Sequence, residues 1–278
     1  MDSLLKKQLL CVSGLPRAGS TLLCQLLAHH PDLYCLGHSS PLCRALIGLR
    51  HSLSDDDFLK SQLDVDFELG YQRLSQAFRG FLAGWFAETD QTWVVDKNRG
   101  WLQHIEMLHH LVPDFRILVC VRELGQVYGS IETQHQKTIL LDFPDHLASL
   151  SRYGRADKLF ADQGVIGSPL QSIQSLRDID SQLQQKIYYV VFEHLMLEPQ
   201  TVMQDILKWL GVSPISIDPE HLQVKSHESD SYYRFKYLHR THDHIQPPAI
   251  HPIPERIQQK IQENFAWFYQ TFYPGQRL

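Results

Sequence analysis

The stretch LLCVSGLPRAGSTLLCQLLAHH, residues 9–30, decides the fold of this 278-residue chain. Residues 9–12 have the apolar composition of a buried strand, and residues 21–29 have that of a helix. The turn between them contains Gly14 and Gly19, and glycine permits positive φ angles and close backbone approach. A strand, a glycine turn and a helix N-terminus in this order present backbone N–H groups to an anion. The stretch therefore predicts a phosphate-binding loop.

The spacing of this loop matches the nucleotide-binding pattern G-x-x-x-x-G-K-[ST] at every position but one. Ser20 stands where the pattern has lysine, and a basic residue, Arg17, lies three positions earlier. This relocation of the positive charge indicates a phosphate-rich nucleotide other than ordinary Mg-ATP.

Composition narrows the class of protein. Hydrophobic residues make up 43% of the chain and charged residues 21%, which is typical of soluble globular proteins. The net charge of -5 argues against a general nucleic-acid binder, which would usually be basic. No stretch approaches the ~20 apolar residues of a membrane span, so we expect no membrane partner. The five cysteines include no C-x-x-C pair, which favours neither a zinc site nor disulfides and makes the cytoplasm the simplest compartment.

Strand and helix patterns alternate along the chain, which predicts an α/β fold: a three-layer, P-loop-type domain spanning residues 1–278 with a central parallel sheet. A helical insertion is expected at about 40–90, with a helix start near the acidic residues 52–57. Residues 213–254 hold six prolines and six histidines, and so long an irregular segment is expected to cover a ligand. Further strands are predicted at 93–95, 115–121 and 187–192, and further helices at 58–88, 101–111, after 122, and at 143–164, 199–210 and 255–272.

Three separated segments, taken in order, resemble the PAPS-dependent sulfotransferases, whose donor is 3′-phosphoadenosine 5′-phosphosulfate. Residues 15–22 are similar to the family's 5′-phosphosulfate loop, P-[KR]-[SA]-G-[ST]-[ST]. A strand that ends in Arg122, with Ser130 eight residues later, is similar to its 3′-phosphate motif. Residues 191–195 are similar to a family strand that ends in aromatic-Glu-x-Leu.

Shorter segments are similar to the protein-tyrosine sulfotransferase branch and its bacterial relatives. They are His30-Pro31-Asp32, Asp96-Lys97-Asn98 and Leu210-Gly211-Val212.

The resemblance implies that PAPS is the donor, that adenosine 3′,5′-bisphosphate (PAP) is the product, and that no metal is needed. Arg122 and Ser130 would then bind the 3′-phosphate, and Phe192 would stack on adenine. In the irregular segment, Lys236 and Arg240 are the basic residues expected to close over the nucleotide. The loop residues expected to bind the phosphosulfate are Pro16, Arg17, Ala18, Gly19, Ser20 and Thr21.

Three side chains are candidates for the chemistry. Arg17 would neutralise the sulfuryl and bridging oxygens, and Lys97, at a strand end, would stabilise the bridging oxygen as it gains negative charge. His38 is the candidate base, because imidazole accepts a proton near neutral pH, and it lies near the position of the branch's catalytic glutamate. The expected acceptor is a small molecule or peptide with a hydroxyl (or amine) group, and a homodimer is one option for the assembly.

Two other functions remain open at this point. In a P-loop kinase or NTPase, residues 93–96 would form a Walker-B-like strand with Asp96 on magnesium. A nucleotide-binding protein of the same fold could also lack catalysis. The candidate residues have structural interpretations too: Arg122 could pair with Glu123 or Glu132, and Lys97 could be an exposed turn residue.

Overall fold

A central sheet of five parallel strands organises the protein, in the order β2-β3-β1-β4-β5. The computed structural model describes residues 6–140, 146–224 and 241–275, together with the backbone of 228–229 and 238–239. The predicted α/β class with a central parallel sheet is confirmed. The strands are β1 (Gln8–Gly14), β2 (Leu33–Tyr34), β3 (Trp93–Lys97), β4 (Arg116–Val121) and β5 (Ile187–Val191).

Strands β1, β3 and β4 are apolar almost throughout because both faces of the central sheet are buried. Their register aligns the carboxyl ends, with Val12 opposite Lys97 and Gly14 opposite Cys120. Gly14 has a φ of 123°, and a Cβ atom there would lie 2.1 Å from the backbone oxygen of Cys120. The first glycine of the loop is therefore required by the close approach of β1 to β4.

Helices connect the strands and continue beyond the sheet. In chain order they are α1 (Ser20–Leu27), α2 (Leu42–Ser54), α3 (Asp57–Val65), α4 (Phe67–Trp85), α5 (Ile105–Leu111), α6 (Leu124–Gln136), α7 (Arg152–Phe160), α8 (Gly167–Ser175), α9 (Ser181–Gln184), α10 (Phe192–Leu197), α11 (Pro199–Leu210), α12 (Glu255–Asn264) and α13 (Ala266–Phe272). A 3₁₀ turn, Arg99–His104, precedes α5, and β6 (Glu228–Ser229) pairs antiparallel with β7 (Leu238–His239).

Helices α2, α3 and α4 lie in the region predicted as a helical insertion, but the helix boundaries predicted within it were wrong. A helix, α2, already runs through residues 42–54, where the acidic residues had predicted a start. The predicted helix 58–88 is two helices, because the Asp56 and Asp66 side chains accept hydrogen bonds from the backbone N–H groups of Leu59 and Leu69 and so begin α3 and α4. Such local caps start new helices without changing the apolar pattern.

Three other predicted boundaries also differ. Of the helix predicted at 143–164, residues 143–145 lie outside the described residues, and the only helix in the rest is α7, which Ser151 caps by accepting from the N–H of Gly154. The last predicted helix is divided at Phe265 into α12 and α13. Phe192 begins α10 and does not end β5. The C-terminal helices pack on the core through the buried side chains of Ile257 and Phe268.

Candidate functional site

The loop between β1 and α1 exposes the N-terminus of a helix. Gly19 is the N-cap residue of α1, with a φ of 81°, and it has no side chain to occupy the first N–H groups of the helix. A Cβ atom at Gly19 would lie 2.5 Å from Cδ2 of Phe192. The second glycine of the loop is therefore required by the aromatic ring at the start of α10, and the first and third predicted motifs are in contact.

Arg17 and Arg122 bring the second motif to the same place. The Nε of Arg17 donates a hydrogen bond to the Oγ of Ser130 at 3.0 Å, across 113 residues of sequence. Arg122 donates through Nη1 to the backbone oxygen of Arg17 at 3.1 Å, and its guanidinium carbon lies 4.5 Å from the centroid of the Phe192 ring. The residues predicted for the 5′ and 3′ ends of the nucleotide thus form one contiguous surface.

The environment of Arg122 fits an anion. Its side chain is buried, and its Nε has no hydrogen-bond partner among the described residues. Burial lowers the pKa of Arg122, an effect that the carboxylate of Glu193 opposes and the neighbouring Arg17 reinforces. A buried cation with an unused donor, next to a second cation, is the donor set that a phosphate group satisfies.

The proposed structural partners of Arg122 are engaged elsewhere. Glu132 accepts hydrogen bonds from both Nε and Nη2 of Arg155, at 2.8 and 2.5 Å. Glu123 accepts from the hydroxyl of Tyr269 at 2.5 Å and from the side-chain amide of Gln258 at 3.0 Å. The structural interpretation of Arg122 as an ion-pair partner of either residue is therefore wrong.

Lys97 is a buried residue of β3 and not an exposed turn lysine. Its Nζ donates to the Oγ1 of Thr21 at 3.3 Å, which holds the ammonium group beside the first turn of α1. The preceding residue, Asp96, is 1% exposed and accepts a hydrogen bond of 2.6 Å from Nε1 of Trp101. Burial raises the pKa of Asp96. Its Oδ2 has no hydrogen-bond partner among the described residues but is buried, which disfavours Asp96 as a ligand of magnesium, an ion that usually keeps several waters.

His38 and Lys97 line one cavity of about 160 Å³, which we call the His38 cavity. The segment that carries His38 lies beside the end of β3, because the N–H of Ser40 donates to the Lys97 oxygen at 2.9 Å and Asn98 Nδ2 donates to the Ser40 oxygen at 2.6 Å. The predicted base and the predicted leaving-group lysine therefore share a space. The cavity is lined by Cys24, residues 34–41, Trp85, Phe86, Glu88 and residues 95–97.

The described part of the irregular segment reaches the arginines. Arg122 Nη2 donates to the Ala249 oxygen at 3.4 Å, and Nδ1 of His251 lies 3.0 Å from Oγ1 of Thr133. Both backbone polar groups of His251 bind the side chain of Gln126. No sequence signal distinguished His251 from the other histidines. Lys236 and Arg240, predicted to close over the nucleotide, lie outside the described residues.

Carboxylates next to the site link the ends of β4 and β5 to the last helix. Glu193 accepts from the N–H of Glu123 at 3.3 Å and from the hydroxyl of Tyr273 at 2.7 Å. These contacts position the residues that flank Arg122 and Phe192, and the sequence analysis did not find them.

Within the described ranges, no group of three or more His, Cys, Asp or Glu side chains could hold a metal ion. The expectation that no metal is needed stays a prediction. No helix in the same ranges has the length and hydropathy to cross a membrane. All five cysteines are buried and unlinked.

Comparison with known proteins identifies the class to which this fold and site belong. The model of the Sulfotransferase family matches residues 10–216, and the chain belongs to this family, as the three motifs predicted. Among curated proteins, it is similar to protein-tyrosine sulfotransferase 2 of Gallus gallus, with 24% identity over 209 residues. That match covers 74% of this chain and 51% of the relative, so the chain spans about half the relative's length.

Two solved structures share the fold. The sulfotransferase domain from the Synechococcus PCC 7002 olefin synthase is 18% identical, with 94% of each chain covered and a TM-score of 0.50. Sulfotransferase STF9 from Mycobacterium avium is 15% identical, with 96% of this chain and 77% of that chain covered and a TM-score of 0.50.

Proposed function

We propose that this protein transfers a sulfuryl group from PAPS to a hydroxyl (or amine) acceptor. The observation that carries the proposal is the convergence of Arg17, Ser130 and Arg122 from distant segments, with a buried Arg122 donor left unused. Membership of the sulfotransferase family supports the same reaction.

Each segment of the site would hold one part of the donor. When bound, PAPS supplies the sulfuryl group and departs as PAP. The N–H groups of residues 16–21 and the guanidinium of Arg17 would bind the phosphosulfate. Arg122 and Ser130 would bind the 3′-phosphate. Stacking of Phe192 on adenine stays a prediction, and its contact with the guanidinium of Arg122 gives its ring a second role in holding that residue.

Lys97 and His38 would carry the chemistry. Lys97 holds a positive charge beside the loop, where it stabilises negative charge on the leaving oxygen, and its burial strengthens that effect. His38 accepts the acceptor's proton at an imidazole nitrogen. Arg17 adds charge stabilisation at the loop, so the reaction needs positioning and electrostatics more than covalent participation by the protein.

A thermal-shift comparison of PAP, PAPS, Mg-ATP and buffer tests the nucleotide. We expect PAP to add ~3 kcal/mol or more of apparent stability at saturating concentration, with no dependence on Mg²⁺. Tighter binding of Mg-ATP than of PAPS would support the kinase alternative, against which the burial of Asp96 argues. Donor binding without transfer to phenols, alcohols, sugars or peptides would indicate a non-catalytic protein.

The compartment and assembly belong to the same proposal. Five unlinked thiols are typical of a reducing compartment, and the cytoplasm remains our prediction on that ground. The homodimer also stays a prediction, and sedimentation of the purified chain would test it.

A further inference from the structure

The His38 cavity has an aromatic wall that the proposed reaction does not by itself require. Trp85 and Leu36 line it and remain 37% and 53% exposed, although both side chains are large and apolar. Tyr34 and Phe86 line it as well. Apolar and aromatic walls with few polar groups are typical of small-molecule sites. The wall therefore predicts an acceptor with an aromatic or aliphatic body.

The volume of the cavity limits the size of that acceptor. About 160 Å³ is below the roughly 300–1,000 Å³ of pockets that take drug-sized ligands. A single small ring with a short side chain fits such a space better than an oligosaccharide or a folded segment does.

The cavity also has a negative group that is independent of the donor site. Glu88 lines it, is exposed to solvent, and lies near enough to Tyr34 to affect the pKa of its hydroxyl. Burial and the neighbouring Glu88 carboxylate raise the pKa of Tyr34, so the tyrosine adds no second negative charge to this wall. Asp96, the other acid of the cavity, is buried and bound to Trp101. Glu88 is therefore the carboxylate that an entering ligand can reach.

We propose that the His38 cavity takes a small hydroxylated amine whose ammonium group binds Glu88. The hydroxyl of this molecule lies toward Lys97 and His38, and its body packs on Trp85. The aromatic side chains beside Glu88 add cation–π attraction for the same ammonium group. That the hydroxyl is sulfated rests on the proposed function. That the ligand is an amine rests only on the residues that line the cavity.

Three phenols that share a 4-hydroxyphenylethyl frame test the proposal: tyramine ends in an ammonium group, 3-(4-hydroxyphenyl)propanoate ends in a carboxylate, and 4-ethylphenol carries neither. Their dissociation constants are measured by calorimetry on the full chain saturated with PAP. We expect tyramine to bind most tightly. Glu88→Gln should weaken tyramine about fivefold and change 4-ethylphenol less than about twofold, as expected for loss of a partly exposed ion pair. Glu88→Lys should reverse the order and favour the propanoate.

The matched control is Asp90→Asn, which removes an exposed carboxylate two residues away that does not line the cavity. It should leave all three constants unchanged. Tyr34→Phe keeps the ring and removes the hydroxyl near Glu88, so it should lower the preference for tyramine without reversing it. Equal binding of tyramine and 4-ethylphenol by the wild type would overturn the proposal, as would equal weakening of all three phenols in Glu88→Gln.

The same titrations separate the two proposals. If PAP does not bind, the proposed function fails, and the phenols are titrated against the nucleotide-free chain. A charge preference that depends on Glu88, without sulfation of any probe, would keep the cavity assignment and reject the reaction. Sulfation of the three phenols at equal rates with equal binding would support the reaction and reject the cavity assignment.

Discussion

Replacement of Arg122 by alanine should remove the contribution of the 3′-phosphate to the affinity for PAP. The guanidinium already donates to the backbone oxygens of Arg17 and Ala249, and its buried Nε is unused. A hydrogen bond to a charged group contributes about 1.5–3 kcal/mol, so the loss of one to two such bonds should cost about 3 kcal/mol. That energy corresponds to a rise of about 100-fold in the Kd of PAP. Arg122→Lys keeps the charge without the planar fork and should cost about tenfold.

Calorimetric titration with PAP and with AMP measures this effect. AMP lacks the 3′-phosphate, so its Kd should change less than about threefold in Arg122→Ala. Circular dichroism and the melting temperature check that the variant folds, because the contact with the loop backbone is lost in the same step. A PAP affinity within threefold of the wild type would refute the assignment, and an equal loss for AMP and PAP would show that Arg122 acts by holding the loop.

Three further outcomes are expected. Lys97→Ala should lower kcat on the order of 10²–10³-fold with little change in PAP affinity; activity above a tenth of the wild type would reject the leaving-group role. Glu132→Gln leaves the buried Arg155 without its carboxylate and should cost about 3–5 kcal/mol in urea unfolding at pH 7. Burial raises the pKa of Glu132, but the hydrogen bonds from Arg155 outweigh burial and the net shift is downward. The stabilisation by this ion pair is therefore present above the pKa of Glu132 in the unfolded chain and is lost as pH falls through its pKa in the folded protein. Glu132→Gln should not show this loss of stability. Burial, and then the positive charge of Arg122, lower the pKa of His251, and a bound phosphate should raise it. The phosphates of PAP also titrate at about pH 6, so the expected result is a difference between variants. Calorimetry in buffers of different ionisation enthalpy should show that the wild type takes up more protons on binding PAP than His251→Gln does.

Among the predicted site residues, those at the carboxyl ends of strands were given by the pattern of the strands themselves. Lys97 ends one buried apolar strand and Arg122 follows another, and parallel strands bring such ends to one edge of the sheet. Their proximity to the loop and first helical turn after β1 was therefore predictable. His251 and Glu88 gave no such signal. Each reaches its cavity or partner from an irregular connection, and the contact of His251 with Thr133 spans 118 residues.

Some helix boundaries were likewise predictable from the sequence and others were not. Residues 199–210 were predicted correctly, because an amphipathic pattern begins at Pro199 and a left-handed Gly211 ends it. The break at Phe265 was not predicted, because the apolar pattern continues through it while the backbone leaves the helical region for one residue.

The backbone conformation of Arg17 lowers the folding stability of the protein. Its φ of 60° lies in the left-handed region, which costs a residue with a side chain about 1–2 kcal/mol and costs glycine almost nothing. The loop thus gives up folding stability to present a guanidinium group at this position. Arg17→Gly would relieve this cost at the loss of the hydrogen bond to Ser130, and it would remove the charge that we propose for donor binding.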